Sequence, residues 1–445
     1  MDNIHLRWTE HLRYLLIFCS FFLLGSCEMS CERPYDTKTQ SEIDSADTDK
    51  KVATTKTVKS IASEISFYVD NSGGMFGYVN KSGKGDNNFI LALSDIAHNP
   101  LFPQDDVKKD FNLINGPDEL VVTPLGSDAS KFSGCLNPQC FNQGNISGND
   151  LNAMLQLALE KAVDNKMSVF ISDAIYDIQD KSNPLNDLRS AGFATRNHFI
   201  ERLEKNNIQT LIIKLSSFFS GEYFYGATTG GTTIDQERPF YIFILGSNDQ
   251  INRYFSNEYV QGLDGYRNHA RFFLPKDYDI KFVVSSSYKK RGQFRPGMDK
   301  PTTLSDVESN RNGEFQFSVG VNYSNLPIAE DYLMDPSNYK VTQEYEVVGV
   351  DRADDGIFTG VTSIDPTHLI TIRTKGLPYG SVKLSLQNKL PMWIDKTHII
   401  NDQDIEGDTT STFGFKYLVQ GIADAYDRVS QQNSFITTTF TVSRD

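Results

Sequence analysis

The chain has 445 residues, of which 39% are hydrophobic, 22% charged and 12% aromatic. That composition can fill packed cores and excludes a mainly disordered protein, and no apolar run reaches the ~18–20 residues a membrane-spanning helix needs, which excludes a polytopic membrane protein. Lys and Arg number 43 against 57 Asp and Glu, a net charge of −14; such a field repels phosphate backbones, arguing against nucleic acid as a partner, and leaves oxygen ligands for hard cations.

In chain order, the first segment is an address. Arg7 and Arg13 flank a mixed n-region, and Leu15 to Leu24 form a short apolar stretch that ends in Leu24-Gly25-Ser26-Cys27. That length suits a secretory signal better than a membrane span. The Leu-Gly-Ser-Cys run resembles the lipobox of bacterial lipoproteins. The resemblance implies a signal peptide over 1–26, cleavage before Cys27, and lipid on Cys27, whose acyl chains would meet the requirement for stable membrane anchoring. Residues 27–63, rich in Asp, Glu, Lys, Ser and Thr, read as a flexible tether. The expected location is the bacterial cell envelope, anchored at the outer membrane or cell surface. In that oxidising setting Cys135-Leu-Asn-Pro-Gln-Cys140 favours a loop disulfide over half of a zinc site, because no second Cys pair or His cluster accompanies it.

Order begins with a β-rich run, Glu64–Asp70, bounded by the turn formers Asn71-Ser72-Gly73-Gly74. A helix is predicted over 88–97, and short strands over 111–114 and 120–122. A further helix starts at Leu151 behind Ser147-Gly148-Asn149-Asp150. Strands at 168–173, 210–215 and 239–246 follow, with helices over 195–206 and 248–257. Between two of these strands lies the aromatic stretch Ser217–Tyr225, read equally as a contact surface or as packing across the sheet edge. Apolar strands alternating with amphipathic helices predict an α/β domain over 64–286, an open, mostly parallel sheet flanked by helices.

Lys289-Lys290-Arg291 opens a polar stretch read as a solvated linker, 287–313. Period-two runs at 315–321, 344–350, 369–373, 382–386 and 435–442 then predict an antiparallel β-sandwich over 314–445. One helix, Phe413 to Tyr426, is expected to interrupt it.

Ligands of open α/β sheets sit at the carboxyl ends of strands. Two predicted strands end in Asp, at Asp70 and Asp173, and a Ser- and Asn-rich loop lies between them. Carboxylate and hydroxyl oxygens from three loops suit Mg²⁺ or Mn²⁺. The block Asp70-Asn71-Ser72-Gly73-Gly74-Met75, followed later by Asp173, resembles the von Willebrand factor type A family and its metal-ion-dependent adhesion site. The family motif is Asp-x-Ser-x-Ser, a Thr from a middle loop, and a late Asp. Here Gly74 replaces the second Ser and no Thr is present; Ser147 stands in for it, with Asn149 and Asp150 as open alternatives. The resemblance implies a divalent cation held by Asp70, Ser72, Ser147 and Asp173, and binding of a protein or glycan partner through an acidic group without a chemical step. Phe76-Gly77-Tyr78 would supply an aromatic rim or core packing.

Two other classes compete. One is a metal-free scaffold subunit of an envelope assembly. The other, less favoured, is a metal-dependent hydrolase. A dehalogenase-like phosphatase would need a second Asp where Ser72 stands, and a Ser hydrolase needs a His base. The seven His, at 5, 11, 98, 198, 269, 368 and 398, show no ligand spacing.

Overall fold

The computed structural model describes residues 62–80, 84–102, 107–178, 181–275, 278–297, 300–353, 364–431 and 433–444. The segment expected to be a signal peptide, Cys27, and the expected tether up to residue 61 lie outside the described residues. Packing has begun by Ala62, which is fully buried.

The apolar runs become β1 (Glu64–Asp70), β2 (Lys108–Asn115), β3 (Val121–Gly126), β4 (Lys166–Ser172), β5 (Gln209–Phe224), β6 (Gly231–Gly246) and β7 (Tyr266–Phe272). They form one sheet of order β3-β2-β1-β4-β6-β5-β7. Parallel pairing joins β1 to β2 and to β4, and the remaining neighbours pair antiparallel. Strands β1, β2, β4 and β5 therefore run one way, and β3, β6 and β7 the other. The parallel direction expected from the sequence holds at the centre, where the strands are buried on both faces.

Among the described residues, this part holds the α-helices α1 (Phe76–Val79), α2 (Asn88–Ala97), α3 (Ala129–Cys135), α4 (Pro138–Phe141), α5 (Leu151–Lys161), α6 (Pro184–Leu203), α7 (Asn248–Tyr254) and α8 (Asn257–Gln261). A disulfide joins Cys135 at the end of α3 to Cys140 in α4. Successive strand residues point to opposite faces. Phe67 and Val69 of β1 join one core with Phe89, Leu93 and Ile96 of α2. Tyr68 joins the other, with Leu155 and Leu159 of α5 and Phe199 of α6.

The remainder adds β8 (Phe282–Ser285), β9 (Gln293–Pro296), β10 (Thr303–Glu308), β11 (Glu314–Val321), α9 (Glu330–Met334), β12 (Tyr339–Val341), β13 (Tyr345–Arg352), β14 (His368–Lys375), β15 (Gly380–Gln387), α10 (Met392–Thr397), β16 (His398–Ile399), β17 (Thr412–Phe413), α11 (Phe415–Ser430) and β18 (Ser434–Val442). Two further sheets, β12-β15-β18-β10-β9 and β13-β14-β11-β8, are antiparallel apart from a short parallel contact of β10 with β18. Both contribute to a single apolar cluster, Leu304, Leu384 and Phe440 from one meeting Phe317, Val319 and Ile370 from the other.

Three segments pack elsewhere than their sequence position suggested. β8 pairs with β11, although it lies within the stretch assigned to the α/β part. The expected linker contains β9 and β10. Its basic triplet is dispersed: Lys289 pairs with Asp351 at 2.7 Å and Arg291 with Glu314 at 2.9 Å, while Lys290 lies 4.2 Å from the Phe294 ring centroid. The helix expected inside the sandwich is α11, and it packs on the α/β sheet instead. Its Phe415, Leu418, Val419 and Ile422 complete the core beneath α5 and α6. Gly192 of α6 and Gly421 of α11 let these two helices approach closely; a Cβ on Gly421 would stand 2.4 Å from the Gly192 carbonyl oxygen. The described residues belong to one compact unit.

Candidate functional site

Because β1 and β4 are adjacent and parallel, their carboxyl ends fall together, with Val69 opposite Ile171. Asp70 and Asp173 thus reach the same sheet edge from positions about a hundred residues apart.

Asp70 is fully buried. Its Oδ1 accepts from the Ser72 amide at 2.9 Å, and its Oδ2 accepts from the Ser172 hydroxyl at 2.8 Å and from Asn149 Nδ2 at 3.1 Å. The Ser72 hydroxyl accepts from the same Asn149 Nδ2 at 3.5 Å. Asp173 is 5% exposed and accepts from the Ile175 amide at 3.2 Å. Next to it Ala174 takes a left-handed conformation, φ 56°, held by its amide donating to Ser172 Oγ at 3.0 Å. A non-glycine residue in that region costs of order 1–3 kcal/mol, and such strain clusters at functional sites.

Burial raises the Asp70 carboxyl above the ordinary carboxylate range, and its hydrogen bonds only partly offset this. Burial, and then the charge of Asp70, push Asp173 up to about 7, against the pull of the Ile175 amide and Arg238. Arg238 is 1% exposed and lies 4.4 Å from the Tyr223 ring centroid. Nearby, Asp402 is fully buried and accepts from the Tyr223 hydroxyl at 2.7 Å and from the amides of Gly226 and Ala227 at 2.7 and 3.1 Å. Ionised, this neighbourhood buries three carboxylates against one guanidinium, a formal excess of two negative charges.

The middle loop is set in place by asparagines at strand ends. Asn71 donates to the carbonyls of Phe141 and Gln143, both at 2.8 Å, and Asn115 Oδ1 accepts from the Asn145 amide at 2.9 Å. This delivers Asn149 to Asp70. Its Nδ2 bonds the carboxylate, while its buried Oδ1 has no partner among the described residues.

Above these groups opens a cleft of about 530 Å³, lined by Ser72, Gly73, Gly74, Ser147, Asn149 and Asp173 on one side and by Tyr223 to Gly226 and Thr228 to Gly230 on the other. The second wall is a β-hairpin. Past Ser216 and Pro239, β5 and β6 pair with each other as far as Phe224 and Gly231, beyond the reach of β4 and β7. This arm is the aromatic stretch of the sequence: Phe219 and Tyr223 are buried, and Phe224 is 47% exposed at the cleft.

Of the four oxygen-bearing residues singled out in the sequence, Ser72, Ser147 and Asp173 line the cleft and Asp70 lies behind them. Ser147 is exposed and its hydroxyl donates to Asn145 Oδ1 at 2.7 Å. Asp150 caps α5 through the Ala153 amide at 3.0 Å. Of the middle-loop alternatives, Asn149 is the one bonded to Asp70. Phe76 is no rim residue; it packs edge-on against Phe141 in the core, with ring centroids 5.8 Å apart. Ser172, Arg238 and Asp402 were not singled out in the sequence. Ser172 carried one usable signal, an inward polar residue beside a strand-end Asp; the other two are brought near by tertiary packing. Among the described residues, no group of three or more His, Cys, Asp or Glu converges as a metal cluster, so a cation here would rely on two carboxylates with hydroxyl and amide oxygens. The chain matches no protein-family model and no curated protein.

Proposed function

We propose that the chain is a lipid-anchored envelope protein that binds a protein or glycan partner through a divalent cation held at this cleft. The observation carrying the reading is the pair of buried carboxylates, Asp70 and Asp173, neither of which forms an ion pair among the described residues. Taking such charges out of water costs several kcal/mol per ion unless they are paired. A divalent ion offsets the excess of two negative charges in the neighbourhood. The donor set is all oxygen, as Mg²⁺ and Mn²⁺ favour, and the unpartnered Oδ1 of Asn149 adds one more acceptor. Asp173 and Ser72 would hold the ion from the cleft, with Asp70 behind them and Ser147 at the rim. When bound, the ion would offer an open coordination place to an acidic oxygen of the partner. The order strand-end Asp, Ser, middle loop, strand-end Asp supports a von Willebrand A-like α/β domain. The apolar cluster shared by the two smaller sheets supports the sandwich reading of the other part.

The test uses the purified full-length chain, stripped with chelator and titrated with Mg²⁺ and Mn²⁺ by calorimetry. Saturable binding is expected, weakened more than about 100-fold by Asp70→Ala and by Asp173→Ala, since even outer-shell changes at metal sites cost 10–100-fold. Gly74→Ser restores the missing hydroxyl; a Cβ there stands 3.5 Å from Asp173 Oδ2, an ordinary contact. It is expected to tighten binding by about tenfold. No binding by well-folded wild type would leave a metal-free scaffold.

A further inference from the structure

A second cleft, of about 750 Å³, lies between the α7–α8 corner and the loop at Ser324 to Pro327. Its wall contains Arg271, near the end of β7 and 7% exposed. Nη2 donates to the Phe255 carbonyl at 2.5 Å and Nη1 reaches Asn252 Oδ1 at 3.5 Å, but Nε has no partner among the described residues. Among the described residues, no carboxylate forms an ion pair with this guanidinium. Burial pulls its pKa down to about 10, as expected for a desolvated cation lacking an anion. A buried guanidinium without a counter-charge is costly to keep.

Two further features of the same cleft point to what would complete it. Arg253 is exposed at the rim and, among the described residues, forms no ion pair; its guanidinium lies 5.9 Å from the Tyr254 ring centroid. Asn257 contributes a buried Oδ1 with no hydrogen-bond donor among the described residues. The cleft therefore presents unmet donors from arginine and one unmet acceptor. Asp249 is the single carboxylate among its lining residues, which otherwise carry mainly amide and hydroxyl groups.

We propose that this cleft binds a small polyhydroxylated acid, a sugar acid or sugar phosphate, with its oxyanion held by Arg271 and Arg253 and a hydroxyl donating to Asn257. Arginine's planar fork matches carboxylate and phosphate oxygens alike. The site is independent of the metal reading, since it lies at the opposite edge of the sheet: Phe272 of β7 pairs with Thr210 at the start of β5, whereas the aspartates stand at the ends of β1 and β4.

The test titrates the full-length chain by calorimetry with glucuronate, glucose 6-phosphate, glucose and inorganic phosphate. Saturable binding of glucuronate or glucose 6-phosphate is expected, with none of glucose, and the better ligand identifies the acid group. Arg253→Ala should weaken it by about tenfold, the scale of one charge-assisted hydrogen bond. Arg271→Lys, which keeps the charge and loses the fork, should weaken it further. If Arg271→Lys does not fold, Asn257→Ala takes its place, with an expected loss of several-fold. Absence of binding at millimolar concentration overturns the proposal. So does equal affinity in wild type and Arg253→Ala, or inorganic phosphate binding as tightly as the sugar anions.

Discussion

The two ends of β1 and β4 treat charge in opposite ways. At their amino ends Glu64 sits between Lys166 and Lys108, at 3.1 and 3.4 Å, with all three side chains in contact with solvent. These lysines hold the Glu64 carboxyl below its usual range, more than offsetting the rise from burial. At the carboxyl ends, one sheet-length away, Asp70 and Asp173 are buried and raised; hydrogen bonds only partly offset this at Asp70, and the Ile175 amide and the charge of Arg238 only partly at Asp173. The same parallel pairing brings residues together at both ends. The difference is that the lower end was left open to water, whereas the hairpin arm of β5–β6 and the segment carrying Asp402 roof the upper one. Uncompensated charge is kept only where surrounding structure enforces it, so the upper end is the place to look for function.

That contrast can be broken in three places. The largest effect is expected from Asp402→Ala, which strips the Tyr223 hydroxyl and two amides at the hairpin tip of their acceptor. At 1–3 kcal/mol for each group left unsatisfied, the loss of stability should be about 4 kcal/mol, read by urea unfolding. Protease cleavage between Phe224 and Gly231 should rise with it. Unchanged stability would show that the roof is not held by this carboxylate.

Asp173→Asn should weaken a pH trend. A carboxyl raised to about 7 when folded and near 4 when unfolded costs nothing below pH 4. It destabilises progressively as pH rises from 4 to 7, at up to ~1 kcal/mol per pH unit. In chelator, wild type should therefore lose stability over that window and the Asn variant should lose less. With Mg²⁺ present, the wild-type trend should flatten. Parallel curves for the two proteins in chelator would remove the electrostatic basis of the comparison.

The smallest effect belongs to the other end. Glu64→Gln removes two solvent-accessible ion pairs and should cost under about 1 kcal/mol, with its contribution vanishing in high salt. A larger loss would mean that the two ends are not electrostatically distinct.

Much of this was legible from local pattern. Short β-rich and apolar runs marked β1, β2 and β4, and turn formers after Asp70 marked a strand end. The position of Asn71 within that turn had a hidden use, anchoring a loop seventy residues on through its amide. No periodicity marks such a bond. The extent of β5 and β6 was also missed, because Ser217 to Tyr225 mixes polar and aromatic residues and Gly231 to Arg238 is almost wholly polar, so neither reads as an apolar sheet strand. The place of α11 was hidden for a different reason. Its apolar face is the same whether it covers one sheet or another, and the glycines that settle the matter, Gly192 and Gly421, contact each other only after folding.

By itself the sequence determined which stretches alternate, where strands stop, and that two of them stop at aspartate. Those properties follow from side-chain periodicity and turn chemistry, which act over a few residues. Tertiary structure alone decided that Asp173 lines the cleft with Asp70 buried behind it, that Asn149 rather than its neighbours reaches Asp70, and that Asp402 and α11 return to the α/β sheet. It also left Arg271 without a carboxylate partner among the described residues. These outcomes depend on desolvation and on contacts between residues distant in the chain, and burial is a property of the packed molecule rather than of any segment.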